Sequence, residues 1–379
     1  MKSQNVGYRV CTRCVMDTSD PEIHFDASGV CNLCTDYLEN RIHGVNPDAT
    51  GQGLATLMAR VKLAGRGRSY DCVVGVSGGV DSSTVARLAV SNGLRVLAVH
   101  MDNGWNSPIA VQNISRLVEQ LGIDYASYVL PWDDFRKTQV AFLRASVPEA
   151  ETPTDIAIQR AVHHHAARHG VRYVLAGGNI ASEGILPVAW HYDGRDMRYS
   201  HAILKAGNCP RKHFASQRYG VMDEAYFKIV RRIRTVYPLN FMHYDKDAER
   251  ALLEEKFGWE YYGSKHGESR FTKFIQNYYL FVKHGIDYRR ATASSELCCG
   301  KGDRDTILAK LQTPPYAGMD IAGELDYVAK KIAISRSELD SIIAAPPKWY
   351  FDYPNNRKWL GRIYNTYRFI HGQQKRSNF

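Results

Sequence analysis

The sequence predicts an α/β protein: a parallel sheet wrapped by helices, with a small cysteine-rich module before it and a helical region after it. Three observations lead there. Between Tyr70 and Asn179, short apolar runs alternate with amphipathic stretches, and alternating strands and helices imply parallel strands joined by crossover helices. After about residue 240 only helical periodicity continues. Before residue 60, four of the eight cysteines fall in two C-x-x-C pairs. The expected domains are therefore 1–60, 61–240 and 241–379.

Each element has a local reason. "YDCVVGV" (70–76) is a short apolar run, the pattern of a strand buried on both faces. "SSTVARLAVSNG" (82–93) is a helix stopped by Gly93, and "LRVLAVHMD" (94–102) is a second strand. "SPIAVQNISRLVEQLG" (107–122) is a helix with Pro108 in its first turn and Gly122 at its end. "IDYASYVL" (123–130) and "VRYVLAGGN" (171–179) are further strands, with a helix over 152–170 between them. Beyond residue 240, "DAERALLEEKFG", "SRFTKFIQNYYLFVKHG", "RDTILAKLQ" and "IAGELDYVAKKIAI" all carry helical spacing. The polar stretch 43–53, "HGVNPDATGQG", has the composition of a linker.

Cys11 and Cys14 are separated from Cys31 and Cys34 by sixteen residues. That spacing is the one by which two thiolate pairs grip a single zinc ion. Four thiolates close a tetrahedron and leave no open position, so this zinc is expected to be structural. Net charge is +10 and the isoelectric point about 9.1, which suits an anionic ligand. No apolar run is long enough to span a bilayer, and "MKSQNVGYRVCTRC" has no leader-type apolar core. A cytoplasmic location with no membrane partner is the expectation.

"SGGVDSS" (77–83) sits at the junction of the first strand and its helix. The first N–H groups of a helix have no internal partner, and they favour an anion. Gly78 and Gly79 let backbone approach that anion; Ser77, Ser82 and Ser83 add hydroxyls. A carboxylate beside a phosphate needs a cation between them, so Asp81 points to Mg²⁺. The loop is no Walker A motif, because no lysine follows the glycines.

"SGGVDSS" resembles the signature of the PP-loop ATP pyrophosphatases. The resemblance implies that Val76, Ser77, Gly78, Gly79, Val80, Asp81, Ser82 and Ser83 hold the β,γ-pyrophosphate of ATP, and that ATP is cleaved between its α- and β-phosphates. The adenine would lie along the second strand, at Val99, His100, Met101 and Asp102. "LAGGN" resembles the later glycine-rich turn of the same family, with Gly178 and Asn179 at the nucleotide. Glu183, just beyond, falls near that family's metal-binding glutamate, and substrate binding is the other role for it.

Three longer stretches, "CTRCVMDTSDPEIHFDASGVCNLC", "NIASEGILP" and "GWEYYGSKHGESRFTKFIQNYYL" with "DYRRATASSEL", are similar to the N-acetyl sugar amidotransferases of bacterial surface-polysaccharide biosynthesis, including O-antigen and nonulosonate pathways. The resemblance implies conversion of an acetamido group on a nucleotide-activated N-acetyl sugar to an acetamidino group. The cofactors would be ATP, Mg²⁺ and Zn²⁺. Ammonia would come from a glutaminase subunit, working with a cyclase-like barrel, of the kind found in imidazole glycerol phosphate synthase. "KHGESR" then supplies Lys265 and Arg270 for phosphates or substrate, and His266 or Glu268 for proton transfer.

The same residues admit a PP-loop tRNA-modifying enzyme of thiolase or lysidine-synthetase type, because a basic chain suits tRNA. Thiolases need a cysteine set in or after the α/β domain, and here only Cys209 and the adjacent Cys298 and Cys299 are available. Nucleic acid is therefore the less favoured partner. The "HHH" at 163–165 is expected on a helix surface, and the aromatic and basic tail from Trp349 to Phe369 is a candidate docking surface.

Overall fold

A computed structural model describes residues 7–44, 51–262 and 267–371. Five strands form one parallel sheet in the order β3-β2-β1-β4-β5. They are β1 (Cys72–Gly75), β2 (Val96–Asp102), β3 (Asp124–Val129), β4 (Tyr173–Leu175) and β5 (Arg234–Val236). β1 lies at the centre, with Val73 paired to both Leu97 and Val174.

Side chains alternate across a strand, so Val73 and Val74 face opposite ways. Val74 joins a core with the helices Gln52–Ala64, Val80–Ser91, Pro108–Leu121 and Lys246–Phe257 through Met58, Val85, Leu117 and Leu253. Val73 joins the other core, which contains Ala157 and Ala161 of the helix Thr152–Arg168 together with Phe271, Phe274 and Leu325 from the C-terminal region. The four N-terminal cysteines and Tyr37 belong to that second core as well. The cysteine module and the C-terminal segments that carry Phe271, Phe274 and Leu325 thus lie on the same side of the sheet, opposite the helix Lys246–Phe257.

Local signals act where the residues place them. Ser107 caps Pro108–Leu121 by accepting from the Ala110 N–H, and Gly122 ends that helix at φ +62°. Asp245 caps Lys246–Phe257, which ends at Gly258 with φ +58°. The helix from Arg270 runs to His284 through a π-helical turn at Ile275–Tyr279.

Several expectations change. The helix Trp132–Arg144 and the edge strand β5 are not among the expected elements, yet both form, the helix with Asp133 and Asp134 in its first turn and Arg144 in its last. β3 lies at the other edge, with Tyr125 and Val129 exposed rather than covered. His163 and His165 are buried, not on the surface. His163 donates its Nδ1–H to the Gln159 carbonyl (2.8 Å) and packs on Tyr219 and Phe227. Tyr364 is no free docking anchor: its hydroxyl donates to Asp193 (2.9 Å) and Arg195 stacks on its ring.

The cysteine module is fastened to the α/β unit at one tight joint. Tyr37 donates its hydroxyl to the Ile180 carbonyl (3.1 Å) and Arg41 to the Gly184 carbonyl (2.7 Å). A Cβ on Gly184 would lie 2.3 Å from a ring carbon of Tyr37 and 2.6 Å from the Ile180 oxygen. Gly184→Ala should therefore destabilise the protein by about 1–3 kcal/mol, a typical overpacking cost. Thermal or urea melts read this directly, and an unchanged midpoint would mean that the joint is loose.

Candidate functional site

The site gathers where β1, β2 and β4 end. In open parallel sheets, ligands bind at the carboxyl ends of strands where the chain order reverses, and β1 lies at that reversal here. After β1 the chain turns through Ser77–Gly79 into the helix Val80–Ser91. Gly78 has φ +81°, and a Cβ on it would lie 2.5 Å from the Ala110 carbonyl oxygen. A Cβ on Gly177 would come within 3.0 Å of the Asp81 carbonyl carbon and the Ser82 nitrogen. Glycine is required at both positions by close backbone approach.

Serine hydroxyls tie the turn together. The Ser77 N–H donates to the Ser82 hydroxyl (3.2 Å) and the Gly79 N–H to the Ser77 hydroxyl (3.3 Å). The Ser83 hydroxyl is buried with no hydrogen-bond partner among the described residues. Trp259 reaches in from the helical region and donates its indole N–H to the Gly78 carbonyl (3.0 Å). The turn is a cradle with backbone donors at a helix start, and it fits a polyphosphate.

Asp81 is already held by two groups. Tyr244 donates its hydroxyl to one carboxylate oxygen, and the Lys246 ammonium lies 2.8 Å from the other. Burial pulls the Lys246 ammonium down, but Asp81 outweighs it and holds the group above its ordinary value. Burial and then Asp81 push the Tyr244 hydroxyl up. Lys246 is the first residue of its helix, where the dipole disfavours a cation. That misplacement is the sequence signal for a neighbouring anion. Asp81 fits a magnesium role through its carboxylate, with Lys246 as the resident positive charge beside it.

The segment 268–270 closes the site. The Ser107 N–H donates to the Glu268 carbonyl (2.8 Å), the Arg270 N–H donates to the Trp105 carbonyl (3.1 Å), and Asn106 bridges to Ser269. This lays 268–270 along the loop that follows β2. A Cβ on Gly79 would meet the Tyr262 hydroxyl at 3.4 Å and a Glu268 carboxylate oxygen at 3.8 Å. Glu268 thus sits over the phosphate turn, and burial followed by Glu268 raises the Tyr262 hydroxyl. Lys265 and His266 lie outside the described residues.

Other expected site residues take definite places. Val76 donates its N–H to the Val99 carbonyl (2.9 Å). His100 is buried, with Nδ1 at the Val76 carbonyl (2.9 Å) and Nε2 at the Asn106 amide (3.0 Å). Those partners fix Nδ1 as the protonated nitrogen and leave the ring a structural strut. Met101 is buried in the core, and Asp102 accepts from the Gly104 N–H and the Asn106 amide. Asn179 caps the turn Ile180–Glu183, and Glu183 folds back to the Asn179 N–H (3.4 Å). Glu183 also bears on Tyr244 and Lys246. Arg270 is turned away from the phosphate turn: it pairs with Glu324 (3.0 Å) and stacks over Tyr327 at 3.5 Å.

Sequence reasoning missed Tyr244, Lys246, Trp259, Tyr262 and Glu151. Glu151 accepts from the Thr272 hydroxyl, and burial, then Asp155, pushes it up to about 8. Tyr288 feels Asp155, Glu183 and Glu151 together.

The N-terminal cysteines form a separate centre. Their ligand atoms all lie within 4.8 Å of one another, and all four residues are buried. The Cys11–Cys34 and Cys14–Cys31 sulfur separations are 3.9 and 3.8 Å. A tetrahedron with Zn–S bonds of about 2.3 Å has edges of about 3.8 Å, so the cluster could hold zinc. Backbone N–H groups of Met16 and Cys31 point at Cys14 and Cys11 sulfurs, both at 3.3 Å. Cys298 adds a fifth thiol, 3.6 Å from the Cys34 sulfur. Arg304 donates to the Cys14 and Cys11 carbonyls, and Arg290 pairs with Asp17 (3.0 Å), so the C-terminal region grips the module around its thiol cluster.

Comparison with sequence families gives two matches. Residues 56–179 match NAD synthase, and residues 268–368 match the WbpG-like LPS biosynthesis protein, C-terminal domain. The chain is a PP-loop protein with a WbpG-like, LPS-biosynthesis C-terminal domain. The second match begins at Glu268, the residue that sits over the phosphate turn. No curated protein matches the chain. Similar solved structures include an NMN synthetase from Francisella tularensis (14% identity, 55% of this chain and 96% of that one, TM-score 0.29). Another is an NH3-dependent NAD synthetase from Campylobacter jejuni (15%, 55% and 93%, TM-score 0.30). A third is a predicted subunit of a tRNA methyltransferase from Methanocaldococcus jannaschii (15%, 48% and 74%, TM-score 0.28).

Two predictions follow from this geometry. Lys246→Met strips Asp81 of its cation, and the KM for ATP should rise at least about tenfold, the scale of one charge-assisted contact; steady-state kinetics with an unchanged KM would remove Lys246 from the nucleotide site. Metal analysis should find one zinc per chain. Cys11→Ser or Cys34→Ser should lower both zinc content and soluble yield, because such sites form together with the fold. Full zinc in a variant lacking all four thiols would place the metal elsewhere.

Proposed function

We propose that the protein is an ATP-dependent amidotransferase. It converts the acetamido group of a nucleotide-activated N-acetyl sugar to an acetamidino group, releasing AMP and pyrophosphate, with ammonia supplied by a partner glutaminase. The observation that carries this reading is the seam at Glu268. There the first residues of the WbpG-like region lie against the ATP-type phosphate turn, so polysaccharide-type and nucleotide-type parts share one site.

The chemistry balances on groups at that seam. An amide oxygen is a poor leaving group. Attack of that oxygen on the α-phosphorus expels pyrophosphate and leaves an O-adenylyl imidate. Ammonia then adds to the imidate carbon, a proton leaves the new nitrogen, and the C–O bond breaks to release AMP. Backbone N–H groups of the 77–83 turn and Lys246 hold the departing pyrophosphate. Mg²⁺, when bound with ATP, would supply further neutralising charge near Asp81. Glu268 and Glu183 flank the turn and serve as acceptors for the ammonium protons, with His266 as a further candidate and Lys265 as a phosphate or substrate ligand. Trp259, Tyr262 and Tyr244 restrict water around the intermediate, which must outlast hydrolysis.

The sequence shows no evident glutaminase nucleophile, so nitrogen delivery by a partner is part of this proposal, as is a cytoplasmic location. With ATP, ammonium and a panel of UDP-N-acetyl sugars, mass spectrometry should find one sugar lighter by about one dalton, with AMP formed in equal amount. Glu268→Gln should slow that turnover by about 10²-fold or more, the usual scale for a proton-transfer group. ADP as product, or no sugar converted across the panel while tRNA is modified, would overturn the reading.

A further inference from the structure

One surface is unexplained by anything above. Residues 197–234 hold nine Lys and Arg against only Asp223 and Glu224, a net +7 out of the whole chain's +10. Both acids are engaged. Asp223 accepts from the Gly220 N–H (2.8 Å), and buried Glu224 pairs with Arg195 and Lys228. The remaining cations are exposed on two adjoining features.

The first feature is a groove of about 420 Å³, lined by Met197, Arg198, His201, Ala202, Lys205 and Arg211. No acid lines it. Arg211 and Arg218 depress the ionisation of His201 further, after burial. The second feature is the helical stretch from Val221 to Val230, joined to the groove where Gly220 lies against Met197. Its inner side is anchored by Phe227, which stacks on Tyr219 and His163. Its outer side is apolar and bare. Met222 is 79% exposed, Ile229 67% and Val230 65%, and Tyr226 is exposed beside them. Arg231, Arg232 and Arg234 follow at once, all exposed.

We infer that this face docks the protein on an anionic phospholipid surface. The occupant must be negatively charged, and it must also accept aliphatic tips. A second copy of the chain fails the first condition, because a two-fold interface would set this cationic patch against itself. Nucleic acid meets the first condition, but the face offers Met222, Ile229 and Val230 at its apex instead of a row of stacking aromatics. A bilayer leaflet with anionic headgroups meets both: arginines reach the phosphates while the aliphatic tips enter the acyl boundary. Among the described residues no helix is long and apolar enough to cross a membrane, so the contact is one of lying on the surface. It does not depend on the proposed amidotransfer chemistry.

Co-sedimentation of the full chain with vesicles tests this. Binding to phosphatidylglycerol-containing vesicles should exceed binding to pure phosphatidylcholine by roughly tenfold or more, and should fall with salt. Ile229→Ser with Val230→Ser, and separately Arg211→Glu with Arg232→Glu, should each weaken it by roughly tenfold, with the melting temperature and turnover of soluble substrate unchanged. Equal binding to both vesicle types would overturn the inference. So would full vesicle binding by the Ile229, Val230 variant, or a patch that binds single-stranded RNA in preference to either vesicle.

Discussion

Backbone crowding at the end of β1 is the constraint on which the rest depends. Gly78 lies against the Ala110 carbonyl and Gly177 against the Asp81–Ser82 peptide, each too close for any side chain. This crowding brings the starts of two helices and the end of β4 to one point. The start of the helix Val80–Ser91 therefore lies where Cα–Cβ bonds are missing, and an anion can approach the backbone itself. The Trp259 indole and the Glu268 segment pack on the same turn from the C-terminal side. The turn organises three parts of the chain that the sequence places far apart.

The cysteine module lies behind this turn as a brace. Tyr37 and Arg41 hold the carbonyls of Ile180 and Gly184, at the two ends of the short turn that carries Glu183. The Cys299 thiol meets the Tyr37 hydroxyl at 2.7 Å, and Lys301, two residues on, donates to the Tyr244 carbonyl (3.0 Å). Tyr244 in turn holds Asp81. A metal bound by the four thiols would stiffen groups on both flanks of the phosphate turn without touching any substrate. Cys298 against Cys34 ties that brace to the helix Arg289–Cys298.

Much of this was legible in the chain, and what was not has physical causes. The turn "SGGVDSS" was readable because close approach to an anion demands small residues in sequence order. The cysteine pairs were readable because chelate geometry fixes their spacing. Lys246 was missed because its partner Asp81 is a tertiary neighbour, and only its poor position at a helix start hinted at one. Arg270 looked like an anion ligand, but Glu324 and Tyr327 surround it, and neither has any periodic relation to it. His163 looked exposed because an imidazole is polar; burial became tolerable once the Gln159 carbonyl met one ring nitrogen. β5 is only three residues long and basic, so its pairing with β4 is decided by the sheet rather than by its own composition.

The central proposal is that the phosphate turn activates an amide oxygen by adenylylation. The most direct measurement follows that atom. A sugar whose acetamido oxygen is ¹⁸O should be turned over with ATP and ammonium, and the AMP analysed by mass spectrometry. Adenylylation of the amide predicts that AMP carries the label and pyrophosphate carries none. Label in pyrophosphate or inorganic phosphate, or label kept in the sugar while AMP forms, would contradict the account.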